Sequence, residues 1–428
     1  MTNPLANWWR SYQFSSALKQ GNEKRAKRIL QQIEKAGVKL SWLEKLYQQK
    51  VETEKDLTFY QRELASVSNQ LKRISRSSNI LTPDADFVKF ILENFQIQEL
   101  DRTKLQCTGI YEAIFYDFEA SLAAYLQAEF KKIDSHSLKN CLIAANEDIS
   151  LLKKGLDPEY SFYCTPYVYF MRYFLDHVYC SYLAWFLIYQ QGLLPKQINI
   201  LDLAAGPGTV AYGLALLLRS SRKLLQVPDL HLSYYSLEKQ NQFQYRGLQF
   251  WRYYLEQQPL PTNAYFRFHT TDFFAYSPED RKVPPQFFDF IVVSHCTFAN
   301  PERRYRSHQT FAHIFRHSLK DSGHVLLMVQ DKRLFTTYNN NTFPREDIAL
   351  EEKCVLRLVE EMGLSLVWYK YLTSTPLRNP MKGSEFAKFA RENLPVQQFI
   401  APLNRQYLNF KYDPSYGLDD YVILARLK

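Results

Sequence analysis

The run Asp202-Leu203-Ala204-Ala205-Gly206-Pro207-Gly208-Thr209 is where this sequence concentrates its chemistry. An apolar segment, residues 198–203, precedes it, and a helix-forming stretch, residues 209–219, follows at once. Glycines between a strand and a helix let a ligand approach the backbone, and a helix start offers unpaired N–H groups. Because open α/β sheets bind ligands beyond the carboxyl ends of their strands, a nucleotide-like ligand is the expectation for this turn. Further acids fall at comparable places: Glu238 closes Tyr234-Tyr235-Ser236-Leu237-Glu238, Asp272 follows His269-Thr270-Thr271, and Asp289 opens the apolar run 288–294. That run ends in Ser294-His295-Cys296-Thr297-Phe298, where His295 is a candidate general base. Arg303, Arg304 and Arg306 come next and suit a phosphate-bearing substrate. For each of these side chains a structural role competes: a cap, a solvated charge, or a hydrogen-bonded histidine.

Two cofactor classes fit the turn unequally. Gly206-x-Gly208-x-x-Ala211 can be laid on the dinucleotide fingerprint with Glu238 as its ribose-binding acid. That fingerprint wants a glycine at the strand end, where this chain has Asp202 and reaches Gly206 only four residues later. Written as acid-x-small-x-Gly-x-Gly, with Ala204 in place of the usual first glycine, the turn resembles motif I of the class I S-adenosylmethionine-dependent methyltransferases. The resemblance runs from about Tyr167 to the C-terminus. It implies an α/β, Rossmann-like seven-stranded sheet whose last strand is antiparallel, and S-adenosyl-L-methionine as cofactor. It also implies site roles: Asp202, Ala204, Gly206 and Gly208 around the cofactor, Glu238 on the ribose hydroxyls, Asp272 on the adenine amino group beside Phe273, and Ser294 and His295 facing the methyl group. The Asn/Asp-Pro-Pro-aromatic signature of base-amino methyltransferases is missing, which leaves the acceptor open among RNA, protein and small molecules. The combination of the helical leader, this motif I and Val293-Ser294-His295 resembles, more faintly, methyltransferase-like proteins associated with the small ribosomal subunit, although their cysteine cluster is absent here. Two other functions stay in view: a catalytically silent methyltransferase-fold module for binding or assembly, and an NAD-dependent oxidoreductase.

The elements that would position these residues follow from periodicity. Residues 195–428 alternate short β-rich runs with helical stretches, the pattern of a parallel sheet with right-handed crossovers. Seven strands are expected, at about 198–203, 232–237, 265–269, 288–294, 324–330, 364–372 and 421–427, with an insertion at about 375–418. Residues 79–194 read as a helical domain without strand alternation; they end in an aromatic helix, 167–190, whose Tyr163, Tyr167, Tyr169 and Phe170 lie where a lid or plain core packing is expected. Residues 1–78 read as a basic helical segment, with a capping box at 41–44, an a/d-spaced helix over 57–74 and a Ser-rich break at 75–78.

Bulk properties set the outer limits. A chain of 428 residues accommodates two or three domains. Its 46% hydrophobic and 23% charged content excludes disordered and collagen-like classes. Of 53 Lys/Arg and 44 Asp/Glu, 15 and 7 fall in residues 1–80, so nearly all of the +9 charge is N-terminal and suits an RNA or acidic partner. Six scattered cysteines make neither a zinc module nor a disulfide framework, and with no apolar leader a cytoplasmic protein is expected. The most apolar stretch, residues 160–194, is broken by Arg172, Asp176 and His177 and reads as buried rather than membrane-spanning.

Overall fold

The structure, a computed structural model, describes residues 13–14, 16–17, 23–35 and, from 80 to 428, all but 155, 222–230, 257, 259–263, 278–282, 339–346 and 378–382. The chain divides into two compact units, Met1–Ser78 and Asn79–Lys428. In the first, helix α1 (Glu23–Lys35) turns Ala26, Ile29, Leu30 and Ile33 inward to a small cluster with Phe14 and Ala17, the three-and-four spacing of one helical face. The expected capping box at 41–44, the helix over 57–74 and the break at 75–78 lie outside the described residues.

The second unit is built on one sheet that, among the described residues, has nine strands: β1 (Ile97–Glu99), β2 (Lys104–Cys107), β3 (Gln197–Leu203), β4 (His231–Glu238), β5 (Ala264–Thr270), β6 (Phe288–Ser294), β7 (Leu319–Gln330), β8 (Leu364–Thr373) and β9 (Asp419–Leu427). They lie in the order β1-β2-β8-β9-β7-β6-β3-β4-β5. Strands β5, β4, β3, β6 and β7 run parallel, whereas β9 inserts antiparallel between β7 and β8. The expectation of seven strands therefore needs correction. Seven form the implied sheet, and the hairpin β1–β2 extends it past β8, with β2 parallel to β8. These two strands arise inside the stretch read as wholly helical; at three and four residues they are too short for alternation to show.

Side chains alternate across the sheet as a two-residue period requires. Ile198, Ile200, Phe290, Val292, Leu326, Met328, Val422 and Leu424 enter one apolar cluster, and Leu201, Leu203, Ile291, Val293, Leu327, Tyr421 and Ile423 enter the cluster on the opposite face. The first cluster takes in the helices α2 (Ala85–Asn94), α3 (Glu112–Phe130), α4 (Ser135–Ile149), α5 (Thr165–Tyr169), α6 (Leu175–Gln190), α7 (Thr209–Ser221) and α8 (Asn241–Tyr254). The boundary expected between 194 and 195 thus falls within one core. From Val178 to Tyr189 helix α6 is buried on every side; its polar tips are satisfied by Tyr179 donating to the Gly109 carbonyl (2.8 Å), Tyr182 to Ser220 (2.8 Å) and the Trp185 indole to the Val210 carbonyl (3.1 Å). Among the described residues no helix is long and apolar enough to cross a membrane.

The insertion after β8 folds back as two helices, Gly383–Asn393 and Ala401–Leu408. It is pinned by buried Glu119, whose Oε1 accepts the N–H groups of Phe399 (2.7 Å) and Ile400 (3.0 Å) and whose Oε2 accepts the Tyr416 hydroxyl (3.1 Å).

Candidate functional site

Strand β3 delivers Asp202 to the turn with no exposed surface. One carboxyl oxygen accepts the Tyr234 hydroxyl from β4, and the other, Oδ1, is buried with no hydrogen-bond partner. Burial pushes the Asp202 carboxyl up to about 8; the Tyr234 hydrogen bond opposes the rise and the neighbouring Glu238 adds to it. Beyond Asp202 the chain coils left-handed three times, at Ala204 (φ 54°), Gly206 (φ 53°) and Gly208 (φ 85°). A β-carbon at Gly206 would meet no atom within 4 Å, so open space lies directly against this backbone. The far side of the turn is closed by α8: a β-carbon at Gly247 would lie 2.2 Å from the Pro207 carbonyl oxygen, so only glycine lets that helix pack here. Ala204 pays for its methyl group in backbone strain of about 1–2 kcal/mol.

Glu238 ends β4 and is nearly buried, at 8% exposure. Its Oε2 accepts the Gly206 N–H and its Oε1 accepts the Gln240 N–H, both at 2.8 Å, so the carboxylate ties the glycine turn to the β4–α8 loop while each oxygen keeps a second lone pair. Burial raises its pKa, those backbone donors lower it, and Asp272 raises it further. Asp272 caps the short turn Phe273–Ala275 through the Phe274 N–H (3.0 Å) and pairs with Lys239 (3.2 Å). Phe273 packs inward on Phe311 (ring centroids 4.8 Å) and is 7% exposed; Phe274 and Phe298, both half-buried, stand beside it.

At the end of β6, Ser294 Oγ lies 2.8 Å from His295 Nδ1, and His295 Nε2 lies 3.0 Å from Asp420 Oδ1 on β9. His295 is itself left-handed (φ 54°), its N–H held by the Met328 carbonyl (2.8 Å), and its ring stacks on His177 at 3.7 Å and 5°. His177 belongs to a half-buried stripe, Tyr169, Tyr173, Asp176 and His177, that crosses the wide π-type turn Phe170–Phe174 into α6. The Tyr169 hydroxyl is 2.6 Å from His177 Nδ1. Burial, then the charges of Tyr160, Asp202 and Glu238, push the Tyr169 hydroxyl far up. Burial and the neighbouring His295 push His177 well down, so its imidazole is neutral. The preceding segment straps over the same edge. Asp148 accepts the N–H groups of Glu159 (3.0 Å) and Tyr160 (2.9 Å), and Asp157 accepts that of Ala299 (3.0 Å).

No protein-family model matches this sequence, and no curated protein matches it significantly. Solved structures are similar at low identity. A SAM-dependent methyltransferase from Methanosarcina mazei shares 14% identity over 55% of this chain and 95% of its own, with a TM-score of 0.29. The methyltransferase domain of a bacterial Hen1 shares 10% identity over 58% and 100%, TM-score 0.31, and a fibrillarin/Nop5p complex 13% over 55% and 75%, TM-score 0.29. The deciding observation is internal: read from β5, the sheet runs third, second, first, fourth, fifth, seventh, sixth strand of the implied seven, with the seventh antiparallel. The chain has the class I methyltransferase fold.

On this methyltransferase fold, Asp202, Ala204, Gly206, Gly208 and Glu238 come together at one turn, with Asp272 beside them and Ser294 and His295 on the adjacent strand end. The three arginines lie on a helix. Asn300 caps helix α9 (Pro301–Ser318) through the Arg303 N–H, so all three lie in its first turns and diverge. Arg303 covers Phe298 (4.6 Å) and sits 3.9 Å from Asp157, and Arg306 covers Phe274 (5.0 Å). The charge of Arg304 lowers the pKa values of His308 and Tyr338. Asp289 serves the sheet itself, accepting the Asn199 N–H (2.9 Å) and pairing with Lys320 (2.6 Å). Tyr167 is buried and donates to Glu129 (3.2 Å), away from the stripe. Sequence reasoning missed Tyr173, His177 and Asp420; the four-residue step 169, 173, 177 was the available signal for two of them, and nothing local marks Asp420.

Proposed function

We propose that this protein binds S-adenosyl-L-methionine at the glycine turn and transfers its methyl group to an acceptor held under the stripe of Tyr169, Tyr173 and His177. The carrying observation is the set of carboxyl groups that makes the cradle. Asp202, Glu238 and Asp272 lie at successive strand ends around the open face of Gly206, with a buried oxygen of Asp202 still lacking a donor. A buried polar atom without a partner is costly unless a ligand completes it. A ligand bearing a sulfonium, an ammonium and a ribose diol brings positive charge and donors to this site and favours ionisation of Asp202, whereas a dinucleotide brings a pyrophosphate toward the Glu238 and Asp272 carboxylates, which repel it. This favours the methyl donor over NAD.

When bound, the cofactor supplies an electrophilic methyl group, and positioning of the nucleophile supplies much of the rate. Glu238 and Asp202 accept hydrogen bonds and fix the ligand against the turn. Tyr169, with Tyr160 held by Asp148 and Ala299 held by Asp157, restricts water at the strand ends. His295 stands where it can take a proton from the acceptor side. Arg303 and Arg306, on the Phe298 and Phe274 rings, supply charge for an anionic acceptor at the cleft mouth, and the N-terminal charge excess supports an RNA or acidic partner.

A catalytically silent module is the second reading, favoured by the strained Ala204 where the motif usually has glycine. Incubating the full chain and methyl-labelled cofactor with cell-extract RNA, protein and small-metabolite fractions separates the two. Label should enter one fraction. Cofactor binding with no labelled product in any fraction would favour the module.

A further inference from the structure

Asp420 sits on the antiparallel strand β9, far in sequence from the glycine turn, yet its carboxylate closes on His295 from behind. Both side chains are 11% exposed. At 3.0 Å a carboxylate offers only acceptors, so a lone pair on Nε2 would face a lone pair on Oδ1. A proton on Nε2 turns that clash into a charge-assisted hydrogen bond. The other ring nitrogen meets Ser294 Oγ at 2.8 Å, and a hydroxyl donates or accepts as required. We propose that Asp420 is a positioning residue that fixes His295 with its proton on Nε2, leaving the Nδ1 lone pair to draw the Ser294 hydroxyl proton at the acceptor face.

Everything packed on the ring agrees with that orientation. His177 on α6 stacks at 3.7 Å and is held neutral, so a protonated His295 would not meet a second cation. Cys180, also on α6, is fully enclosed, and burial raises its thiol, so no thiolate competes with Asp420. Asp176 lies beyond Asp420, where burial and the Asp420 charge favour its neutral form, and it takes the Gln397 amide at 2.8 Å. Asp420 Oδ2 accepts the Asp419 N–H (3.3 Å), which holds the carboxylate in place.

The role rests on the methyltransferase proposal and deepens it by naming an acceptor class. A relay of this kind serves an acceptor whose nucleophilic atom carries a proton, a hydroxyl or an N–H, and is of no use to a thiolate. One proton passes from the acceptor to Ser294 Oγ while the Ser294 proton passes to His295 Nδ1, so Ser294 ends as it began. The electron pair of the broken bond stays on the acceptor atom, and the imidazolium is balanced by Asp420.

The test uses the full chain labelled with 15N-histidine, with long-range proton–nitrogen spectra at neutral pH and His295 assigned from the signals lost in His295→Gln. Wild-type protein should show one dominant His295 tautomer, protonated on Nε2, and Asp420→Asn, which turns an amide donor toward the ring, should move it to a mixture or to Nδ1–H. A wild-type His295 protonated on Nδ1 overturns the proposal, as does an unchanged tautomer in both Asp420→Asn and Asp420→Ala. So does a chelator-removable metal ion bound at Cys180, His295 and Asp420, whose candidate ligand atoms lie within 4.8 Å of one another. If S-adenosylhomocysteine shows no calorimetric binding while the tautomer result holds, the positioning stands and only the cofactor assignment falls.

Discussion

Replacing Asp202 by Asn removes a carboxyl group that burial pushes up to about 8 in the folded protein, against about 4 in an unfolded chain. Between those two values the folded state holds a proton that the unfolded state has released. Stability must therefore fall as pH rises through that window and level off above it. Each pH unit is worth about 1.4 kcal/mol, so the wild-type protein should lose about 2 to 3 kcal/mol between pH 6 and pH 8 through this group. Asn at this position has no such slope. Urea denaturation of both proteins at pH 6, 7 and 8 measures the difference directly, because other titrating groups are common to the two. A ligand donor reaching the unpartnered Oδ1 stabilises the anion, so saturating S-adenosylhomocysteine should flatten the wild-type slope. Parallel curves for wild-type and Asp202→Asn protein would mean that the buried carboxyl is already ionised at pH 6.

The backbone of the turn gives two separable outcomes. Gly206→Val adds bulk to open space at a left-handed position, so thermal unfolding should register only about 1–2 kcal/mol of strain while calorimetry finds no S-adenosylhomocysteine binding. Ala204→Gly should relieve strain at φ 54° and, after the entropy of the freer unfolded chain, stabilise by up to about 1 kcal/mol in denaturant titration, with cofactor affinity kept or improved. Removing residues 1–79 should leave cofactor affinity unchanged but abolish salt-sensitive binding to RNA or an acidic protein, measured as the slope of affinity against salt. An unchanged salt slope in the shortened protein would make the N-terminal charge a solvated surface.

What the sequence disclosed is tied to how each feature is encoded. The glycine turn is local: an acid, small residues and two glycines in eight positions specify a strand end, a left-handed coil and a helix start, and the structure has each. Strands of seven or more residues were legible from apolar runs. The hairpin β1–β2 was not, because its seven residues gain their place from β8 and not from their own pattern. Asn300-Pro301-Glu302 is a helix-start signal that extends α9 back over Arg303 and Arg304, which is why those side chains diverge. The His295 environment depended on tertiary contacts that no spacing announces: His177 arrives from α6 and Asp420 from the last strand, over a hundred residues away in each direction.

If the turn holds S-adenosylmethionine, it also binds S-adenosylhomocysteine, and titration calorimetry of wild-type and Glu238→Ala protein measures that binding, with NAD as the control. Two charge-assisted hydrogen bonds at the Glu238 carboxylate amount to about 2–4 kcal/mol, roughly a 30- to 1000-fold loss of affinity, to which loosening of the Gly206 N–H adds. The wild-type protein should show saturable one-to-one binding and no heat with NAD, and Glu238→Ala should lose affinity by that factor or more. Equal affinity in the two proteins, or binding of NAD in place of S-adenosylhomocysteine, would contradict S-adenosylmethionine as the ligand of the turn.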